Sequence, residues 1–346
     1  MKDDFSPAPD ERRKPRLQDF LGYLFAGLCL VWVFYDLQPQ KLLASIRIAH
    51  WGWLLPAVFF DVLTYVLQGW RWALLLTPIG RLRPIKATQA IYAALFMNEV
   101  VPLRLGEIAR AFLAARWLTA PITRVIPSIV AERFLDALFL AVGVGLAGLF
   151  VPLPRNLVNA WKILGAVVIL AACLLVLIII RREKKMEREG PHMQRPSSHG
   201  LRARASALLE SLAHGLQEIG LSPRLYAAAA LSVAMLACQG IAVWSVMRGY
   251  GFDLSLAAGA VVMIVVRLGT AIPNAPANVG SFQFFTVLAL GLFGIEKTEA
   301  AAFSIVDFAV LTLPLWSLGL LSLARAGMSL GSLRREIGKL QLPKTT

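Results

Sequence analysis

The chain reads as an all-α polytopic membrane protein, with about six full spans and two re-entrant or broken helical hairpins in an inverted repeat. Three observations predict this. Of its 346 residues, 57% are hydrophobic, and the mean hydropathy is +0.64. Average soluble domains are only ~45–50% apolar. Runs such as 53–76 and 163–180 are long enough to span, since a bilayer core needs ~20 apolar residues. Basic residues also crowd into alternate connecting segments, as cytoplasmic loops do.

The elements follow in order. Residues 1–19 form a charged tail leading into the apolar run 20–38. No small-residue cleavage site follows, so 20–38 is expected to remain as the first span. Further full spans are expected at 53–76, 123–150, 159–181, 224–247 and 300–326. Segments 86–117 and 256–295 are apolar but interrupted by Pro, Gly and Asn. Each is expected to enter and leave on one side, although a double crossing would fit the loop charges equally well. Residues 181–223 form a basic connecting loop, starting with Arg181, Arg182, Lys184, Lys185 and Arg188. Within it Ala205, Leu208, Leu209, Leu212, Leu216 and Ile219 recur at helical spacing. That stripe fits an interfacial amphipathic helix or a helical extension packed on the spans. Residues 327–346 form a second basic tail.

With both termini in the cytoplasm, 24 Lys and Arg fall in inside regions. Five fall outside: Lys41, Arg47, Arg155, Arg248 and Lys297. This asymmetry accounts for the net charge of +14 without invoking nucleic acid. No DNA- or RNA-binding motif is present. Cys29, Cys173 and Cys238 all sit in apolar segments, with neither metal spacing nor a disulfide framework. No metal or cofactor is expected, and no nucleophile–base pair or nucleotide loop indicates an enzyme.

Two triplets of span, interrupted segment and span emerge, at about 53–150 and 224–326. They start on opposite sides, as inverted-topology transporters do. Gly106 lies 53 residues after Trp53, and Gly280 lies 56 after Arg224. Glu132 lies 26 after Gly106, and Asp307 lies 27 after Gly280. Pro102-x-x-x-Gly106 matches Pro276-x-x-x-Gly280. Short helices are expected to begin near Leu105 and Val279, their N-termini favouring an anionic group.

The first interrupted segment carries Glu99, Arg104, Glu107 and Arg110. Intramembrane charges persist mainly where they line a cavity or a pathway. Arg104 precedes the helix and has the fork to grip a phosphate; Glu107 and Arg110 share a helix face. The next span adds Glu132, Arg133 and Asp136. Arg104, Glu107, Arg110, Glu132, Arg133 and Asp136 are expected to form one connected buried cluster, whether as a cargo site or as a salt-bridge lock. Either Glu132 or Asp136 is also a candidate carrier of a coupling proton. In the second interrupted segment Pro273 and Pro276 break the helix, while Asn274, Asn278, Ser281 and Gln283 offer hydrogen bonds to a headgroup. Asp61, Gln68 and Arg71 are further polar positions. Arg71 is expected to snorkel to the inner interface. Trp51, Trp53, Trp70, Trp72, Trp117, Trp161 and Trp316 are expected as interface anchors.

These motifs make the chain resemble the lysylphosphatidylglycerol synthetase transmembrane-domain, or flippase-like, family. They are Pro102-Leu-Arg104-Leu-Gly106-Glu107-Ile-Ala-Arg110, Glu132-Arg133-x-x-Asp136 and Pro276-x-x-x-Gly280-x-Phe282-Gln283. Many relatives carry Glu where this chain has Gln283. The resemblance implies a bacterial inner-membrane protein that moves lipids between leaflets. Longer relatives add a soluble aminoacyl-transferase domain that this chain lacks, so synthesis of lysyl-lipid is not expected. The expected function is therefore a lipid flippase whose partners are membrane lipids with anionic or polar headgroups. A membrane enzyme or accessory subunit of lipid synthesis and a small-solute transporter are the alternatives. Homo-oligomerisation or pairing with a lipid-synthesis enzyme stays open.

Overall fold

Helices that face lipid on one side and protein on the other are apolar all round, and the long segments fold accordingly. The computed structural model describes residues 17–100, 106–150, 223–271 and 276–327, with the isolated positions 166 and 170. Ten α-helices occur among the described residues. The first half holds α1 (Leu17–Phe34), α2 (Pro39–Ser45), α3 (Leu54–Leu75), α4 (Pro84–Val100), α5 (Gly106–Leu118) and α6 (Ile122–Phe150). The second holds α7 (Pro223–Tyr250), α8 (Leu256–Ala271), α9 (Ser281–Gly291) and α10 (Lys297–Arg325). Apart from positions 166 and 170, the expected span 159–181 lies outside the described residues, as do the loop 181–223 with its apolar stripe, Cys173, Trp161, and the tails beyond 17 and 327.

Trp51–Leu75, Pro223–Tyr250 and Lys297–Arg325 are long and apolar enough to cross a membrane. They coincide with the expected spans 53–76, 224–247 and 300–326. The two interrupted segments each form helix, break and helix, α4 with α5 and α8 with α9, and the arms of each pair pack on one another.

Helices α3 and α7 share the most extensive helix–helix contact. They run antiparallel: the His50 N–H, just before α3, donates to the Gly249 carbonyl at 2.9 Å. At the opposite end Arg71 Nη1 reaches Ser232 Oγ at 2.8 Å. Two apolar cores flank this pair. One gathers Leu76, Ile91, Met97, Leu113 and Val125 around the α4–α5 hairpin. The other gathers Val246, Met247, Val262, Leu290 and Phe303 around the α8–α9 hairpin. Helix α1 packs on α9, with Trp32 edge-on to Phe284 at 4.8 Å.

One tryptophan departs from expectation. Trp72 is fully buried rather than anchored at an interface. Its Nε1–H donates to Ser128 Oγ at 3.0 Å, and Arg110 stacks over its ring at 4.9 Å from the centroid. Trp51 and Trp70, by contrast, are exposed. Trp72 sits near the end of a span in sequence, but α4, α5 and α6 close over that end.

Candidate functional site

The site starts at the two breaks. A helix start leaves backbone N–H groups without intrahelical partners. At the first break the Gly106 N–H donates to Asn98 Oδ1 at 2.8 Å, so the end of α4 caps the start of α5. Gly106 is buried, and a Cβ there would overlap the Ala94 carbonyl of α4. Glycine is what lets the two arms meet. At the second break the Gly280 N–H donates to Gln283 Oε1 at 2.7 Å. Gly280 has φ +92°, and a Cβ there would strike the Ala26 carbonyl of α1. Ala277 and Asn278 also have positive φ, at 58° and 55°, so the chain reverses sharply before α9. The helices begin at Gly106 and Ser281, within two residues of the expected starts.

An alternating chain of charges lies beside the first break. Glu107 Oε1 on α5 meets Arg133 Nη2 on α6 at 2.8 Å. Arg133 Nη1 meets Asp136 Oδ2 at 3.2 Å, one turn along. Asp136 Oδ1 accepts from Arg71 Nη2 of α3 at 2.6 Å. Arg71 also reaches Glu132 Oε1 at 3.3 Å. Glu132 Oε2 meets Arg110 Nη1, back on α5, at 2.9 Å. Three arginines thus alternate with three carboxylates. Gln68 Nε2 donates to Glu132 Oε1 at 2.6 Å, and Ser232 Oγ accepts from Arg71. The chain ties α3, α5 and α6 together and touches α7.

Burial grades along this chain. The side chains of Glu132 and Arg71 are 0% and 1% exposed, and that of Arg110 is 3% exposed. Asp136 is 19% exposed, while Glu107 and Arg133 reach 42% and 49%. The expectation of a uniformly buried cluster is corrected on this point: one end is closed and the other open. Buried ion pairs seldom add net stability, because desolvation offsets the Coulomb gain. What this chain does fix is geometry, holding α5 at a set position against α3 and α6.

Arg71 is the main correction. It was expected to snorkel outward but is almost wholly buried, and it is the residue that joins Asp136 to Glu132. Its position four residues before the end of α3 resembles a snorkelling site; the packing of α7 over that end reverses the outcome. Glu107 and Arg110, read as sharing a face, take different partners. Glu99 stands apart and accepts from Trp316 Nε1 at 3.4 Å.

The remaining expected residues divide clearly. Pro102, Arg104, Pro273 and Asn274 lie outside the described residues. Pro276 and Asn278 form a short 3-10 turn ahead of Gly280, and Ser281 Oγ–H donates to the Asn278 carbonyl at 2.9 Å. Gln283 is 6% exposed and holds the break through its Oε1. Asp307 of α10 is 1% exposed and lies in electrostatic reach of Asp61 of α3, itself 5% exposed. Asp307 Oδ1 and Asp61 Oδ2 have no hydrogen-bond partner among the described residues. Sequence reasoning gave Asp61 no role, since one carboxylate in a span carries no spacing signal; its proximity to Asp307 comes from the packing of α3 on α10.

A family model described as the lysylphosphatidylglycerol synthase TM region matches residues 20–319. The chain belongs to that family. No curated protein matches it. The family match covers both broken hairpins and all six members of the charge chain. Together with the apolar helices, it makes this a multi-pass membrane protein.

Proposed function

We propose that this family member moves lipids with anionic or polar headgroups between the leaflets of a bacterial inner membrane, its termini in the cytoplasm. The observation that carries this is the graded charge chain beside a helix break. Six ionised side chains in an apolar bundle are costly, and they converge where a hairpin turns. The open end, at Glu107 and Arg133, offers polar contacts to a headgroup, while the flanking helices suit acyl chains. The short arms support re-entrant hairpins. Helices α4 and α8 have 17 and 16 residues; at 1.5 Å per residue they reach about 25 Å, short of a ~30 Å hydrocarbon core. The matching order of span, broken hairpin and span in both halves supports an inverted repeat. Arg104 stays a proposed headgroup contact on its sequence position. Transport rather than catalysis is the proposed role.

The test is translocation of a fluorescent phospholipid in proteoliposomes, followed by reduction of the label in the outer leaflet. Wild-type protein is expected to bring more label within reach of the reductant than empty vesicles do. Arg110→Ala is expected to abolish the gain while Arg248→Ala, at the distant end of α7, leaves it intact. No gain with folded wild-type protein overturns the proposal.

A further inference from the structure

The charge chain balances without help. Arg71, Arg110 and Arg133 match Glu107, Glu132 and Asp136 one for one. A further cation stands beside it. Arg267 of α8 is half-buried and within electrostatic reach of Asp136 and Arg133 on α6 and of Arg71 and Tyr65 on α3. Asp136, the carboxylate with the largest influence on it, is already bound by Arg71 and Arg133, one through each oxygen. Among the described residues the Arg267 guanidinium has neither a hydrogen bond nor an ion pair. The acidic residues outside the described set fall at sequence positions 1–16, 183–218 and 328–346.

A guanidinium at membrane depth needs a counter-charge. This one has two arginines within electrostatic reach and a carboxylate there whose oxygens are both in use. We propose that Arg267 takes the phosphodiester of a phospholipid headgroup, which enters at the open, Arg133 side of the charge chain. The assignment rests on the lipid-transport reading and gives it a docking residue. It also gives the second hairpin a role: the first hairpin joins a charge-balanced scaffold and the second supplies the cation. The planar fork of arginine suits two phosphate oxygens at once, and the residue is not wholly enclosed. Tyr65, in reach of the same guanidinium, adds a phenol able to donate to phosphate.

The experiment measures binding of dioctanoyl phosphatidylglycerol to the purified full chain in detergent by titration calorimetry. Dioctanoylglycerol, which lacks the phosphate, and inorganic phosphate are the comparison probes. Wild type is expected to bind the phospholipid and neither comparison probe comparably. Arg267→Gln is expected to weaken phospholipid binding by about tenfold or more. Arg267→Lys is expected to lose about threefold, because it keeps the charge and loses the fork. Arg248→Gln, distant from the site, is expected to match wild type. A folded Arg267→Gln protein with wild-type affinity overturns the assignment. Should that variant not fold, Arg267→Lys decides: weakened binding supports the site and wild-type affinity overturns it. Inorganic phosphate binding as tightly as the phospholipid overturns the lipid as ligand. Loss of translocation by wild type, with no phospholipid bound, overturns lipid transport itself; translocation that survives in Arg267→Gln overturns this assignment alone.

Discussion

In the α4–α5 hairpin the glycine N–H that opens the second arm is held by Asn98, from the arm before the break. In the α8–α9 hairpin the equivalent N–H is held by Gln283, from the arm after it. Both glycines are pressed against a backbone carbonyl, that of Ala94 in one case and of Ala26 in the other. The arms differ in charge: α5 carries Glu107 and Arg110, whereas Ser281–Gly291 has no ionisable residue. The second hairpin therefore acts as an internal control. An amide cap and a glycine suffice to build a break among apolar helices, so the charges of the first hairpin are not needed to turn the chain. They answer to another demand, which is to fix α5 against α3 and α6 and to expose one polar end.

The comparison is broken most forcefully at Arg71. Arg71→Ala leaves Glu132 and Asp136 short of a partner in a dry interior and is expected to cost about 3–5 kcal/mol, read as loss of the monodisperse peak and a lower apparent melting temperature. Arg133→Ala, at the half-exposed end, is expected to cost well under about 1 kcal/mol. Equal losses in the two variants would remove the distinction between closed and open ends.

Next in size are the glycines. Gly106→Ala and Gly280→Ala each place a methyl group against a carbonyl oxygen and are expected to cost about 2–3 kcal/mol. Gly280→Ala also strains a left-handed backbone. If the hairpins share one plan, both variants lower thermal stability alike. A tolerated Gly106→Ala would show that the α4–α5 break relaxes where the α8–α9 break does not.

The smallest expected effect belongs to the caps. Asn98→Ala and Gln283→Ala each remove one acceptor from a helix start, at about 1 kcal/mol. Gln283→Glu keeps the acceptor and is expected to preserve more stability than Gln283→Ala. The measurement is the same melting assay, and a larger loss in the Glu variant would show that the pocket around Gln283 rejects charge.

The breaks were readable from sequence because Pro and Gly act locally, through missing donors and permitted φ values. The Glu-Arg-x-x-Asp spacing was readable for a similar reason, since three or four residues define one helix face. Arg71, Trp72, Asp61 and Arg267 were misplaced or passed over. Asp61, Arg71 and Trp72 lie on α3 and Arg267 on α8, and the surroundings of each are set by residues far away in the chain. Ser232, which meets Arg71, is 161 positions distant. Distance along the chain also hides the grading of exposure, because α3, α5, α6 and α7 must all be in place before one end is closed.

The alternating chain has a consequence for membrane voltage. A single charge carried across the field is worth about 2.3 kcal/mol per 100 mV. The six side chains from Glu107 to Arg110 sum to zero, and both ends of the chain rest on one helix. A rearrangement that carries them together displaces no net charge, so their contribution to such a movement is electrically silent, and the resting potential neither drives it nor opposes it.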